Sequence, residues 1–256
     1  MNPIRILGVE ITDVSPNVIL TPEFKGVVFT PNVDHLIRLN KDEKFFEVYK
    51  ESNWRLCDSQ IVRIVARLLG RRIQFLNTGS DIFPSYCRLV AGKKLNEKRV
   101  FILGGSTTNS AMNAASELMK NTETNFVVGF YSPPFGFEND ETEILKIIDL
   151  ITTSGANVLA VGVGSPKQEF FISSIKDRLK EVDLFFAIGA TVDFISGFQR
   201  RAPRFMQKLA LEWLYRFIKE PKRMFRRYFI YDIQFFYLIF KESMGWYRNP
   251  FEIERR

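Results

Sequence analysis

Histidine occurs once in these 256 residues and cysteine twice, and those scarcities remove whole classes of chemistry. Cys57 and Cys87 show no metal-ligand spacing. A zinc site or disulfide framework therefore has no support, and a reducing cytoplasm fits their use. With His35 as the sole histidine, a His-rich metal centre is excluded and a Ser-His-Asp relay has one candidate at most. No stretch reaches the roughly 18 apolar residues that a spanning helix requires. The first 20 residues carry Arg5, Glu10 and Asp13 without an unbroken apolar core, so no signal peptide is expected and the chain is placed on the cytoplasmic side. Phosphate-loop fingerprints are missing too: "GGST" (Gly104 to Thr107) lacks the third glycine of a dinucleotide loop and the GKS/GKT ending of a P-loop.

What remains is an ordinary soluble composition with one local bias. Hydrophobic residues make up 46% and charged residues 25%, close to globular averages, and the length suits one large domain or two small ones. The net charge of +7 is concentrated at one end. Residues 199–256 hold 14 Lys and Arg against 6 Asp and Glu, which leaves 22 against 23 in the rest. Such a basic tail points to a local anionic partner.

From Gly26 to Gly197, short β-rich apolar runs alternate with helix-like segments, the pattern of a Rossmann-like α/β fold with a mostly parallel sheet flanked by helices. Strands are expected at Val27–Phe29, Arg55–Cys57, Ile73–Leu76, Val100–Leu103, Phe126–Phe130, Val158–Val163 and Leu184–Ile188. Helices are expected at Gln60–Leu69, Thr108–Lys120, Glu141–Ser154 and Pro166–Lys180. After Gly197 the chain reads as a helical appendage with a kink or break at Pro221. The predicted division is a core of residues 1–197 and a C-terminal basic and aromatic appendage of residues 198–256. Within that appendage "YFIYDIQFFYLIF" suits an interfacial amphipathic helix, or equally a helix packed on the core or on another subunit.

In such sheets, ligands collect where strands end and helices begin, so the polar residues at those points are the candidates. Asp58, after a predicted strand, could act as a general base or simply cap a helix. Thr30, Pro31 and Asn32 open another helix, with Thr30 as its cap and Pro31 in the first turn, and Asn32 can both donate to and accept from a sugar hydroxyl. Gly104 and Gly105 expose backbone to close approach by phosphate. In "VGVGSPKQEFF", Ser165 and Gln168 have capping-box spacing with Pro166 at the first helical position. Gln168 would also face the ligand edge. Arg216, Arg223 and Arg226 stand at offsets of seven and three, which on a continuous helix puts three guanidinium groups on one face. His35, one turn into its helix, reads as a buried structural histidine.

The blocks "TPNVDH", "CDS", "TGSD", "FILGG", "GFYSPPFGF", "VGVGSPKQE", "GATVDFISGFQRRAP" and "LEWLYRFIKEPKRMFRRY" resemble, in order, those of the WecG/TagA/CpsF family of bacterial glycosyltransferases, glycosyltransferase family 26. The resemblance runs from about Thr30 to Tyr228. It implies inverting, metal-independent transfer of a sugar from a UDP-sugar donor to a polyprenyl-diphosphate-linked saccharide. The site would be the inner face of the cytoplasmic membrane, and the product a surface polysaccharide such as an exopolysaccharide, capsule, teichoic acid linkage or common antigen. Carried over by motif position, Asp58 would deprotonate the acceptor, Thr30 and Asn32 would line the sugar pocket, and Gln168 would touch the donor. Asp193 would help hold the nucleotide, and Arg216, Arg223 and Arg226 would close over the diphosphate. No cofactor or metal ion is implied.

Two positions depart from the family pattern. Ser59 stands where many relatives have glycine, and Leu76 where many have arginine, so the donor sugar stays open among N-acetylmannosamine, its uronic acid and neutral hexoses. The alternative to an enzyme is a non-enzymatic module that binds a nucleotide sugar or anionic lipid and regulates polysaccharide assembly. A nucleic-acid partner is not expected, because the tail aromatics cluster on one face instead of alternating along a stacking groove. A homo-oligomer is one of the assemblies the resemblance leaves open.

Overall fold

The computed structural model describes residues 4–92, 95, 97–120, 122, 124–225 and 232–252, excluding the side chains of Lys208 and Arg223. The chain opens with a hairpin, β1 (Ile4–Ile6) and β2 (Val9–Ile11), joined through Leu7 and Gly8. Both turn residues have positive φ, +48° and +73°, the requirement of a two-residue turn that matches strand twist. A short helix α1 (Pro16–Ile19) leads into β3 (Gly26–Phe29), α2 (Val33–Arg38), α3 (Glu43–Lys50) and β4 (Trp54–Arg55). Next come α4 (Gln60–Leu68), α5 (Gly79–Ala91), β5 (Val100–Gly104), α6 (Ser110–Met119), β6 (Val127–Tyr131) and α7 (Glu141–Ser154). The core closes with β7 (Val158–Gly162), α8 (Lys167–Ile175), β8 (Leu184–Ala187) and α9 (Thr191–Ile195).

Six strands form one parallel sheet in the order β4-β3-β8-β7-β5-β6, the α/β fold expected from the alternating pattern. Every residue of β5, β7 and β8 is buried, as strands covered on both faces must be. Side chains alternate faces along a strand, so the sheet divides two apolar cores. Phe101, Leu103, Leu159, Val161 and Phe185 belong to one core, and Val100, Ile102, Val158, Ala160 and Phe186 to the other.

Four local expectations are corrected. Ile73–Leu76 is not a strand: the amides of Gln74 and Phe75 each donate to the Asp13 carboxylate at 2.9 Å, so a side chain takes the bonds a ladder would use. The helix α5 that follows, capped by Thr78, was not among the expected helices. The Ser165 capping box does not form, because Pro166 occupies the cap position and Gln168 turns elsewhere. The C-terminal region is not one helix. Among the described residues it comprises α10 (Arg204–Lys208), α11 (Glu212–Lys219), α12 (Pro221–Phe225) and α13 (Ile233–Ser243). The break at Ala210, with φ +60°, was not expected, whereas the one at Pro221, where α12 begins, was.

The last helix is not detached from the core. Phe235 of α13 is fully buried in the first core, with Leu238 and Ile239 packed beside it. Beyond it, Glu242 accepts the Leu7 amide at 3.1 Å and pairs with Arg71 at 2.5 Å. A Cβ on Gly8 would fall 2.3 Å from the Asn249 side chain, so the tail's return fits against a turn without a side chain. Among the described residues no helix is long and apolar enough to cross a membrane.

Candidate functional site

A cavity of about 950 Å³ opens above the C-terminal ends of β3, β4, β7 and β8. Its floor comes from the loops leaving those strands, including Thr30, Asn32, Asp58, Gly164 and Gly189, and from the start of α5 at Thr78 to Asp81. Its roof is the C-terminal arm, with Arg201, Arg204, Trp213, Arg216 and Met224. Parallel strands direct all their exit loops to one edge. Residues far apart in the chain therefore meet there.

Asp58 is free of the capping duty its position suggested. Ser59 caps α4, accepting the Val62 amide at 3.4 Å, which leaves the Asp58 carboxyl facing the cavity. Burial pushes the Asp58 pKa up from 3.8 to about 8, and nearby Glu212 and Asp81 add to the rise while Arg216 and Arg201 oppose it. A carboxyl so placed exchanges its proton near neutral pH, as a general base requires.

Asn32, not Thr30, caps α2, accepting from the amides of Asp34 at 3.0 Å and His35 at 3.3 Å. Asn32 also lines the cavity. The His35 ring nitrogen Nδ1 lies 2.7 Å from the hydroxyl of buried Tyr49, which agrees with a structural histidine. Gln168 is 3% exposed. Its Oε1 accepts the Gly189 amide at 3.0 Å and its Nε2 donates to buried Glu169 at 2.9 Å. Both ends of that carboxamide are therefore held, and the residue lines the cavity.

The cavity does not include Gly104, Gly105 or Asp193. Gly104 has φ +121°, and a Cβ there would lie 2.5 Å from the Gly162 backbone of the adjoining strand. A Cβ on Gly105 would lie 2.1 Å from Ser110. Close packing therefore accounts for both glycines. Asp193 accepts the Ser106 amide at 2.8 Å, the Ser106 hydroxyl at 2.6 Å and the Ser110 hydroxyl at 3.1 Å, which ties this turn to α9.

Arg216 reaches the cavity and pairs with Glu212 at 2.6 Å. Arg223 lies on α12 rather than on the helix of Arg216, so the single-helix arrangement expected for them is not observed. The side chain of Arg223 and the whole of Arg226 lie outside the described residues. Sequence reasoning missed a second cation. Arg201 grips Asp81 with two nitrogens, at 2.6 and 3.0 Å. Both residues sit inside quoted blocks, "QRRAP" and "TGSD", but nothing in either block shows that they pair. Among the described residues no three His, Cys, Asp or Glu side chains group as a metal site.

Comparison with known proteins adds two findings. The Glycosyl transferase WecG/TagA/CpsF family matches residues 4–249. An N-acetylglucosaminyldiphosphoundecaprenol N-acetyl-beta-D-mannosaminyltransferase of Bacillus subtilis (strain 168) is 30% identical over 198 residues, covering 77% of this chain and 73% of that protein.

Proposed function

Because the chain belongs to the WecG/TagA/CpsF family of glycosyl transferases, we propose that it moves a sugar from a UDP-sugar to a polyprenyl-diphosphate-linked saccharide, with inversion, during assembly of a surface polysaccharide. Asp58 carries the reading: a carboxyl with high proton affinity, released from capping and facing a cavity large enough for two substrates. The acceptor hydroxyl attacks the anomeric carbon from the side opposite the leaving group. Its proton passes to Asp58 as the new C–O bond forms and the bond to the diphosphate breaks, and UDP departs with that electron pair.

The departing diphosphate needs its charge neutralised. Arg216 supplies this from the roof, joined by Arg223 and Arg226, which follow it in sequence; with guanidinium groups in that role the reaction needs no metal ion. Thr30 and Asn32 contact the sugars from the floor, and Gln168 contacts the donor. Gly104, Gly105 and Asp193 act at one remove, by fixing the turn after β5. The Bacillus relative's name makes a lipid-linked N-acetylglucosaminyl diphosphate the first acceptor to offer and an N-acetylmannosaminyl nucleotide the first donor.

The residue 198–256 appendage has a second task, holding the enzyme at the cytoplasmic membrane surface. Ile233, Phe236, Tyr237 and Phe240 are more than half exposed, and their spacing places them on one face of α13, with buried Phe235 on the other. An aromatic face flanked by basic residues suits the headgroup boundary of an anionic membrane.

The test is a panel of UDP-sugars with a short-chain polyprenyl-diphosphate N-acetylglucosamine, read as UDP release with and without EDTA. Wild type should turn over one donor equally in both, and Asp58→Asn should bind UDP but lose turnover. UDP binding with no donor consumed would replace the enzyme reading with the regulatory binding module. Loss of activity in EDTA would refute the arginine mechanism.

A further inference from the structure

Between Ala202 (4% exposed) and Met224 (2% exposed), no described side chain is buried. The described part of the arm over the cavity therefore has no fully buried side chain between those two anchors, and a segment held at its ends opens more easily unless polar contacts pin it. At its start, one residue supplies such contacts. Arg201 gives both Asp81 oxygens a hydrogen bond, at 2.6 and 3.0 Å. It also reaches Thr78 Oγ1 and the Ser80 carbonyl, each at 3.3 Å. These partners sit in the first turn of α5, 120 to 123 residues away in sequence.

The receiving end is rigid. Thr78 caps α5 by accepting the Asp81 amide at 3.2 Å, and its hydroxyl donates to Asp81 Oδ2 at 2.7 Å. Gly79 lies so close to the exit of β8 that a Cβ would stand 3.3 Å from Ile188 Cα. The Asp81 carboxylate is thus aimed before Arg201 arrives. A two-point guanidinium–carboxylate contact then fixes direction as well as distance. Burial works against charge on Asp81, but the hydrogen bonds from Arg201 and Thr78 together with the charges of Arg201 and Arg204 outweigh it and hold its pKa below the ordinary value.

We propose that the Arg201–Asp81 pair is a clamp that seats the C-terminal arm on the core and thereby positions Arg216 over Asp58. The positioning half rests on the glycosyltransferase reading above; the clamp itself does not. Arg201 and Asp81 are positioning residues: they hydrogen-bond to each other and act on Asp58 only through space.

A double-mutant cycle on the full-length chain tests both halves. Asp81→Ala and Arg201→Ala should each raise amide hydrogen exchange across residues 203–220 at least about tenfold. The double variant should go no further than the stronger single, since the two act as one unit. Thermal unfolding of the whole protein should move little, because the pair is partly exposed. With an active donor and acceptor pair, kcat/KM should fall about 10- to 100-fold in each single variant, and Arg201→Lys should recover part of the loss. Unchanged exchange in either single, or effects that multiply in the double, would overturn the clamp. Raised exchange with unchanged kcat/KM would overturn the positioning of Arg216. If wild type transfers no sugar, the enzyme reading fails and the exchange cycle still decides the clamp.

Discussion

Replacing Asp58 with Asn removes an ionisable group from the cavity floor while keeping its shape, so its effect on stability should depend on pH. Asp58 titrates near 8 in the folded chain against an ordinary 3.8. A raised carboxyl pKa means that the folded state holds a proton the unfolded chain has given up. The stability associated with that proton is complete below about 3.8 and is lost as pH rises through about 8. At about 1.36 kcal/mol per pH unit, full ionisation costs the fold about 6 kcal/mol, of which about 3 kcal/mol falls between pH 6 and pH 9. Asp58 keeps partial contact with the cavity, whose water screens the penalty, so the expected span is about 1.5–3 kcal/mol. Urea unfolding of wild type and Asp58→Asn at pH 6 and pH 9 measures it. The variant should gain that amount relative to wild type on going to pH 9, although it has lost turnover. Two stability curves that stay parallel to within about 0.5 kcal/mol would show that Asp58 is not desolvated, and the base assignment would lose its physical support.

Two further substitutions probe the frame and the surface. Gly104→Ala forces a Cβ to within 2.5 Å of the Gly162 backbone at φ +121° and should cost about 2–4 kcal/mol in chemical unfolding; an unchanged midpoint would refute the close-approach argument. Phe236→Ser with Phe240→Ser alters side chains 53% and 55% exposed. The pair should leave the thermal midpoint within about 2 °C and weaken binding to vesicles containing anionic lipid at least about tenfold. Undiminished vesicle binding would remove the α13 face from the membrane contact.

Much of the frame was legible because it depends on local regularities. The continuous apolar runs at Val100–Leu103, Val158–Val163 and Leu184–Ile188 appear as buried central strands, since burial on both faces leaves no room for polar alternation. Ile73–Leu76 carries the same kind of apolar signal, yet Asp13, some sixty residues earlier, takes its amides. A side-chain competitor at that distance leaves no trace in a local window. The same limit applies to Thr30, Asn32, Asp58 and Ser59. Sequence showed that helices begin there, but which residue caps each one depends on how the loop turns, and that choice decides which side chain is left for a ligand.

Composition and order of residues by themselves determined the class of protein: a mostly parallel α/β core, a basic aromatic tail and the polar loops at the strand ends. Those properties follow from periodicity, charge counts and motif order, all of which are read along the chain. Only the tertiary structure decided which loops share a cavity, that Asp58 lies where burial raises its proton affinity, and that Arg201 closes on Asp81. Each of these depends on groups dozens to more than a hundred residues apart, brought within hydrogen-bonding or Coulombic range by sheet order and by the tail's return to the N-terminal hairpin.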